Sequence, residues 1–128
     1  MPLNRIMLLF FFAATGLAAS GEETVEFVRD IQPILADNCF ECHGQDPSSR
    51  EADLRLDVRD VAVAEINSEP AIVPGDAEQS ELIRRIESDD PDLCMPPPDH
   101  GERLTDKQRE LLRQWIDQGA EYRTHWAF

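Results

Sequence analysis

Residues 24–44, TVEFVRDIQPILADNCFECHG, decide how the rest of the chain reads. The apolar residues Phe27, Val28, Ile31, Ile34 and Leu35 recur at steps of three and four, the pattern of a helix with one buried face. Pro33 interrupts that pattern. The spacing therefore predicts an irregular lead-in and a short helix beginning near Pro33, where a missing backbone N–H costs nothing. The helix runs directly into Cys39-Phe40-Glu41-Cys42-His43, a C-x-x-C-H pentapeptide.

C-x-x-C-H is the attachment signature of c-type haem. Two thiols three positions apart can reach the two vinyl groups on one side of a porphyrin, and the next residue sets an imidazole beneath the iron. Cys39 and Cys42 are thus the expected covalent tethers, and His43 the expected axial ligand. Other chemistries use the same residue types. A structural zinc site would draw on Cys39, Cys42, His43 and Cys94, but adjacent Cys42 and His43 would both have to reach one tetrahedral ion. A thioredoxin-like redox pair would need strand–helix alternation around the motif, which the chain lacks. A Cys39–Cys42 disulfide would close a very small, strained ring.

Upstream, residues 1–20 read as a secretory signal. Arg5 gives a positive start, Ile6 to Ala14 is an unbroken apolar run, and Ala18-Ala19-Ser20 offers small residues for cleavage after Ser20. The run is too short to span a bilayer, so a membrane association would come only through an uncleaved signal. Cleavage leaves residues 21–128 as one domain, with 11 basic against 26 acidic side chains, a formal charge of −15. The expected location is the periplasm or another extracytoplasmic space. The whole chain of 128 residues carries 12 basic and 26 acidic side chains, and only Lys107 among the bases is lysine. That balance works against nucleic-acid binding. It suits steered, salt-sensitive docking to a basic redox partner protein, or simply solubility. Three cysteines do not make a disulfide framework, and a domain this small generally needs a staple of some kind.

Downstream, residues 44–53 read as a polar loop and Leu54 to Ile66 as a stretch holding one short helix. Residues 70–75 (PAIVPG) read as extended, bracketed by prolines. Asp76 is placed to cap the next helix with Gln79 at its third position, and Leu82, Ile83 and Ile86 form the buried stripe. Residues 89–103 form a long loop. The last helix is capped by Thr105 with Gln108 completing a capping box; Leu111, Leu112, Trp115 and Ile116 make its apolar face, and Gly119 stops it. No strand of convincing length is present, and the fold class is all-α: three to five helices with long loops. Loops of that length need internal support, which one bound haem would supply.

The long loop carries Met95, followed by Pro96, Pro97 and Pro98. A proline-stiffened segment can hold a thioether on a metal without a large ordering cost, making Met95 the candidate sixth ligand. Alternation along an extended segment turns Cys94 and Met95 to opposite faces, so Cys94 is expected to be a buried small residue or a free thiol. His100 and His125 are the alternative ligands.

Taken together, these stretches resemble the planctomycete-type cytochrome c domain, a branch of the class I cytochrome c superfamily. The matching segments are EFVRDIQPILADNCFECHG (26–44), ADLRLDVRD (52–60), PAIVPGDAEQSELIRRI (70–86), MPPP (95–98), LTDKQRELLRQWIDQGA (104–120) and HWAF (125–128). The resemblance implies a small helical cytochrome c fold and one covalent haem c. It also implies His43 as proximal and Met95 as distal iron ligand, and first and last helices that cross near the haem edge with Trp115 between them. Cys94, directly before the ligand methionine, departs from the family pattern. Domains of this kind often stand at the front of longer secreted proteins, with the HWAF segment leading onward.

With both axial sites filled, such a haem changes only its oxidation state, so the sequence reads as an electron carrier with no catalytic residues. The competing reading is a haem enzyme or gas sensor in which Met95 is off the iron, with His100 the only nearby distal base. A third is a non-haem metal or interaction module.

Overall fold

The computed structural model describes Gly16, residues 23–65 and residues 69–123. The signal segment 1–20, apart from Gly16, lies outside the described residues, as do Ile66, His125 and the HWAF terminus. The architecture is all-α, with no strand among the described residues. A π-helical turn, Phe27–Ile31, leads into α1 (Gln32–Asn38); α2 (Arg59–Ala62), α3 (Glu81–Glu87) and α4 (Asp106–Asp117) follow.

The irregular lead-in expected ahead of Pro33 is that π turn, in which the Gln32 N–H bonds to the Phe27 carbonyl. Pro33 then lies in the first turn of α1, where its missing donor is one of the helix's orphans. The wider turn puts Phe27 and Ile31 into the core with Ile34 and Leu35, and leaves Val28 outside at 58% exposure. Val28 was part of the helical face read from the sequence. The change of pitch at the π turn rotates it to solvent, a shift that a constant 3.6-residue period cannot anticipate.

α4 behaves as its sequence dictates. Thr105 Oγ1 accepts from the Gln108 N–H, and the Gln108 side chain accepts from the Thr105 N–H, satisfying two orphan donors reciprocally. Leu112, Trp115 and Ile116 are buried. Past Gly119 (φ 114°), Ala120 also stands in the left-handed region at φ 51°. Arg59 of α2 holds both carbonyls there, with Nη2 to Gly119 O at 3.2 Å and Nε to Ala120 O at 3.0 Å. That strain, of order 1–3 kcal/mol for a non-glycine residue, persists because the buried Ala120 and its clamp leave no alternative.

α3 starts later than the sequence suggests. Its first residue is Glu81, and its N-cap position is Ser80, whose side chain caps nothing. Ser80 Oγ instead accepts from the Val73 N–H at 2.9 Å and donates to the Asp76 carbonyl at 2.9 Å. Asp76 closes the preceding turn by accepting from the Gln79 N–H. The sequence signature of a capping residue was real, but it is spent on a turn four residues upstream. α3 and the π turn both pack on α4, around a core of Ile31, Leu35, Ile72, Leu112, Trp115 and Ile116.

Candidate cofactor site

The C-x-x-C-H pentapeptide continues α1 by one more helical turn. The Cys39 N–H and Phe40 N–H both bond to the Leu35 carbonyl, and the His43 N–H bonds to the Cys39 carbonyl at 2.9 Å. The turn is so tight that a Cβ on Gly44 would stand 2.2 Å from the Phe40 carbonyl oxygen, so only glycine fits there. Arg50 braces the exit, donating to the Gly44 and Gln45 carbonyls.

The following loop holds the motif from outside. Glu51 N–H bonds to the Cys42 carbonyl at 2.7 Å, and Leu56 N–H to the His43 carbonyl at 2.8 Å. Leu56 passes the restraint on, because its own carbonyl accepts from the Tyr122 hydroxyl at 2.8 Å. Tyr122 stacks on Phe27 with ring centroids 4.5 Å apart and lies 5.3 Å from the Trp115 ring; Phe27 and Trp115 are 5.6 Å apart. The first and last helical elements therefore pack on each other through Phe27 and Trp115. Burial raises the Tyr122 phenol well above its ordinary value, and the Arg59 charge opposes this.

The motif supplies two thiols and an imidazole, the residues that would hold a covalent haem. Burial pushes the Cys39 thiol up to about 12, with neighbouring Cys42 adding to the effect. At neutral pH, with nothing bound, it is a protonated thiol. Cys39, Cys42 and Cys94 are all free thiols, and no group of three or more His, Cys, Asp or Glu side chains among the described residues is arranged to hold a metal ion. The zinc set of Cys39, Cys42, His43 and Cys94 is thus not brought together. His43 is held below the usual histidine range, chiefly by burial, with the Arg85 charge pushing the same way and Glu51 opposing. It is a neutral imidazole at physiological pH, the form that ligates a metal. Its Nδ1 is the one buried side-chain nitrogen or oxygen among the described residues without a hydrogen-bond partner.

Met95 is half-buried and packs against the core, and its N–H bonds to the Arg85 carbonyl at 3.1 Å. The Met95–Pro96 peptide is cis. Arg85 lies in the C-terminal turn of α3, where its carbonyl holds the Met95 backbone and its side chain donates to Glu81. Cys94 is buried, its sulfur facing the Pro91 and Pro96 carbonyls at 4.0 and 3.9 Å, in keeping with the expected buried thiol. His100 is exposed, and His125 lies outside the described residues. Beside the motif, Phe27, Gln32, Phe40, Gln45, Asp46 and Asp57 line a cleft of about 470 Å³. Gly44, Arg50, Arg85 and Arg103 had no role in the sequence reading. The glycine is visible there, but its close approach to Phe40 is not, and the arginines act across gaps that only the fold closes.

Residues 39–99 match the family model described as Planctomycete cytochrome C, a stretch running from the first motif cysteine to just past the Met-Pro-Pro-Pro segment. No curated protein and no solved structure matches the chain.

Proposed function

We propose, from the premise that residues 39–99 form a planctomycete-type cytochrome c domain, that the protein carries electrons through a single covalent haem with His43 and Met95 as axial ligands. A c-type cytochrome domain holds haem c with its iron through the cysteines of C-x-x-C-H, here Cys39 and Cys42, and the bound haem supplies one reversible electron. The observation that supports the reading is a half-buried His43 whose Nδ1 lacks a hydrogen-bond partner, together with a loop methionine that packs on the core and bonds through its N–H to α3.

The chain's own residues perform the rest. The Glu51 and Leu56 N–H groups fix the motif turn, so the imidazole needs no reorganisation between oxidation states. The Arg85 carbonyl fixes the backbone of Met95. A neutral thioether stabilises ferrous over ferric iron, which places the potential above that of a bis-histidine haem. The acidic surface suits a basic redox partner, whose approach would be accelerated at low salt. Export by cleavage after Ser20 fits this role and the extracytoplasmic habit of such domains. None of the helices among the described residues is long and apolar enough to cross a membrane.

The experiment is the spectrum and redox titration of the protein matured with a cytochrome c assembly system. The expected wild type is low-spin and six-coordinate, with the weak near-infrared band of methionine-ligated ferric haem. Met95→Ala should abolish the band, lower the potential and admit cyanide or carbon monoxide. A wild type without that band, binding those ligands as fast as Met95→Ala does, refutes the axial assignment.

A further inference from the structure

We propose that Arg103 is a positioning residue for Met95: its guanidinium clasps the two ends of the 88–103 segment together and governs how often the thioether leaves the sixth site. The inference rests on the reading of Met95 as axial ligand. Arg103 Nη1 donates to Asp89 Oδ1 at 2.6 Å, and Nη2 donates to the Ser88 carbonyl at 3.0 Å. One planar fork thus ties the end of the segment to its start, across sequence separations of 14 and 15 residues. Met95 lies midway between them.

Cys94 and Pro96 are buried and Met95 packs on the core, but few hydrogen bonds cross this loop. Its internal hydrogen bonds are short-range: Leu93 and Cys94 N–H to the Asp90 carbonyl, and His100 N–H to the Pro97 carbonyl. Among the described residues, the Ser88 and Met95 N–H groups both bond to the Arg85 carbonyl and tie the segment to α3, while the Arg103 fork joins its own two ends. If the thioether left the iron by an outward movement of its loop, that movement would strain the Met95–Arg85 bond and pull on the ends that the fork holds.

Asp89 is 92% exposed and Arg103 47% exposed, so salt weakens the clasp, and this gives it a signature that a packing contact lacks. The test is the rate at which the ferric holo-protein captures neutral imidazole at pH 8, measured at low and high salt, with the near-infrared band as the check on resting ligation. Arg103→Ala and Asp89→Asn should each speed capture about two- to fivefold, the range for an exposed ion pair. Both should lose the salt dependence that the wild type shows. Arg103→Lys should recover only part of the effect, because a point charge cannot serve both acceptors at once. The exchanged pair, Arg103→Asp with Asp89→Arg, should slow capture again. Asp89→Asn alters only an exposed carboxylate and keeps the test valid if Arg103→Ala fails to mature. Wild-type rates and unchanged salt dependence in Asp89→Asn, with the band intact, overturn the clasp alone. Absence of the band in the wild type overturns the axial reading, and the clasp with it.

Discussion

Trp115 should be the most expensive side chain in the protein to remove. It is 1% exposed, packs on Phe27 and Tyr122, and its Nε1 donates to the Glu121 carbonyl at 2.9 Å. Truncating a buried tryptophan to alanine costs about 3–5 kcal/mol in lost burial and residual cavity. The lost hydrogen bond adds little, because Glu121 is exposed and its carbonyl can turn to water. Against a total stability of about 5–15 kcal/mol, that is a large share. For a domain of this size it should lower the melting temperature by roughly 15–30 °C. Trp115→Phe keeps one ring against Phe27 and should cost about half as much. Tyr122→Phe loses only the bond to Leu56, worth about 1 kcal/mol. Urea unfolding of the three holo-variants, followed by far-ultraviolet circular dichroism, orders them. A Trp115→Ala loss below 1 kcal/mol, or a Tyr122→Phe loss equal to it, would show that the aromatic cluster is not what fastens the first helical element to α4.

Two further outcomes can be read without redox equipment. Denatured holo-protein should titrate with one thiol-reactive equivalent, from Cys94, although the chain has 3 cysteines; Cys94→Ala should titrate with none, and three equivalents would rule out thioether tethers. Stability should fall in acid. Asp57 is held below its ordinary 3.8 by hydrogen bonds from Arg55, and Glu81 below its ordinary 4.5 by hydrogen bonds from Arg84 and then Arg85, each working against burial. A depressed folded-state value means stabilisation that is present above the ordinary value and lost as pH falls through the depressed one. The loss should begin near pH 4.5 and continue below 3.8, and Arg55→Gln should flatten it; an unchanged acid limb in that variant would remove Asp57 from the account.

What could be read in the sequence follows from how local each signal is. The Thr105–Gln108 box and the apolar stripe of α4 lie within three or four residues of each other, so one helix carries its own instructions. C-x-x-C-H is equally local, and the chemistry it implies does not depend on where the loops go. Asp76 misled because a short polar side chain serves a turn as readily as a helix start. Only the tertiary bond from Val73 to Ser80 decides between them. Val28 misled because a helical period is inferred as constant, and one π turn is enough to break it. The arginines were illegible for a stronger reason. Arg59 reaches the α4 terminus 60 and 61 residues away, and Arg103 reaches back 14 and 15. With 11 arginines and one lysine against 26 acids, the composition already favoured planar forks over point charges. Composition does not say which carbonyl each fork finds. In a domain where more of the described residues lie in loops than in helices, those carbonyls are where the chain's long segments are pinned. The position of Met95 follows from that pinning as much as from the prolines beside it.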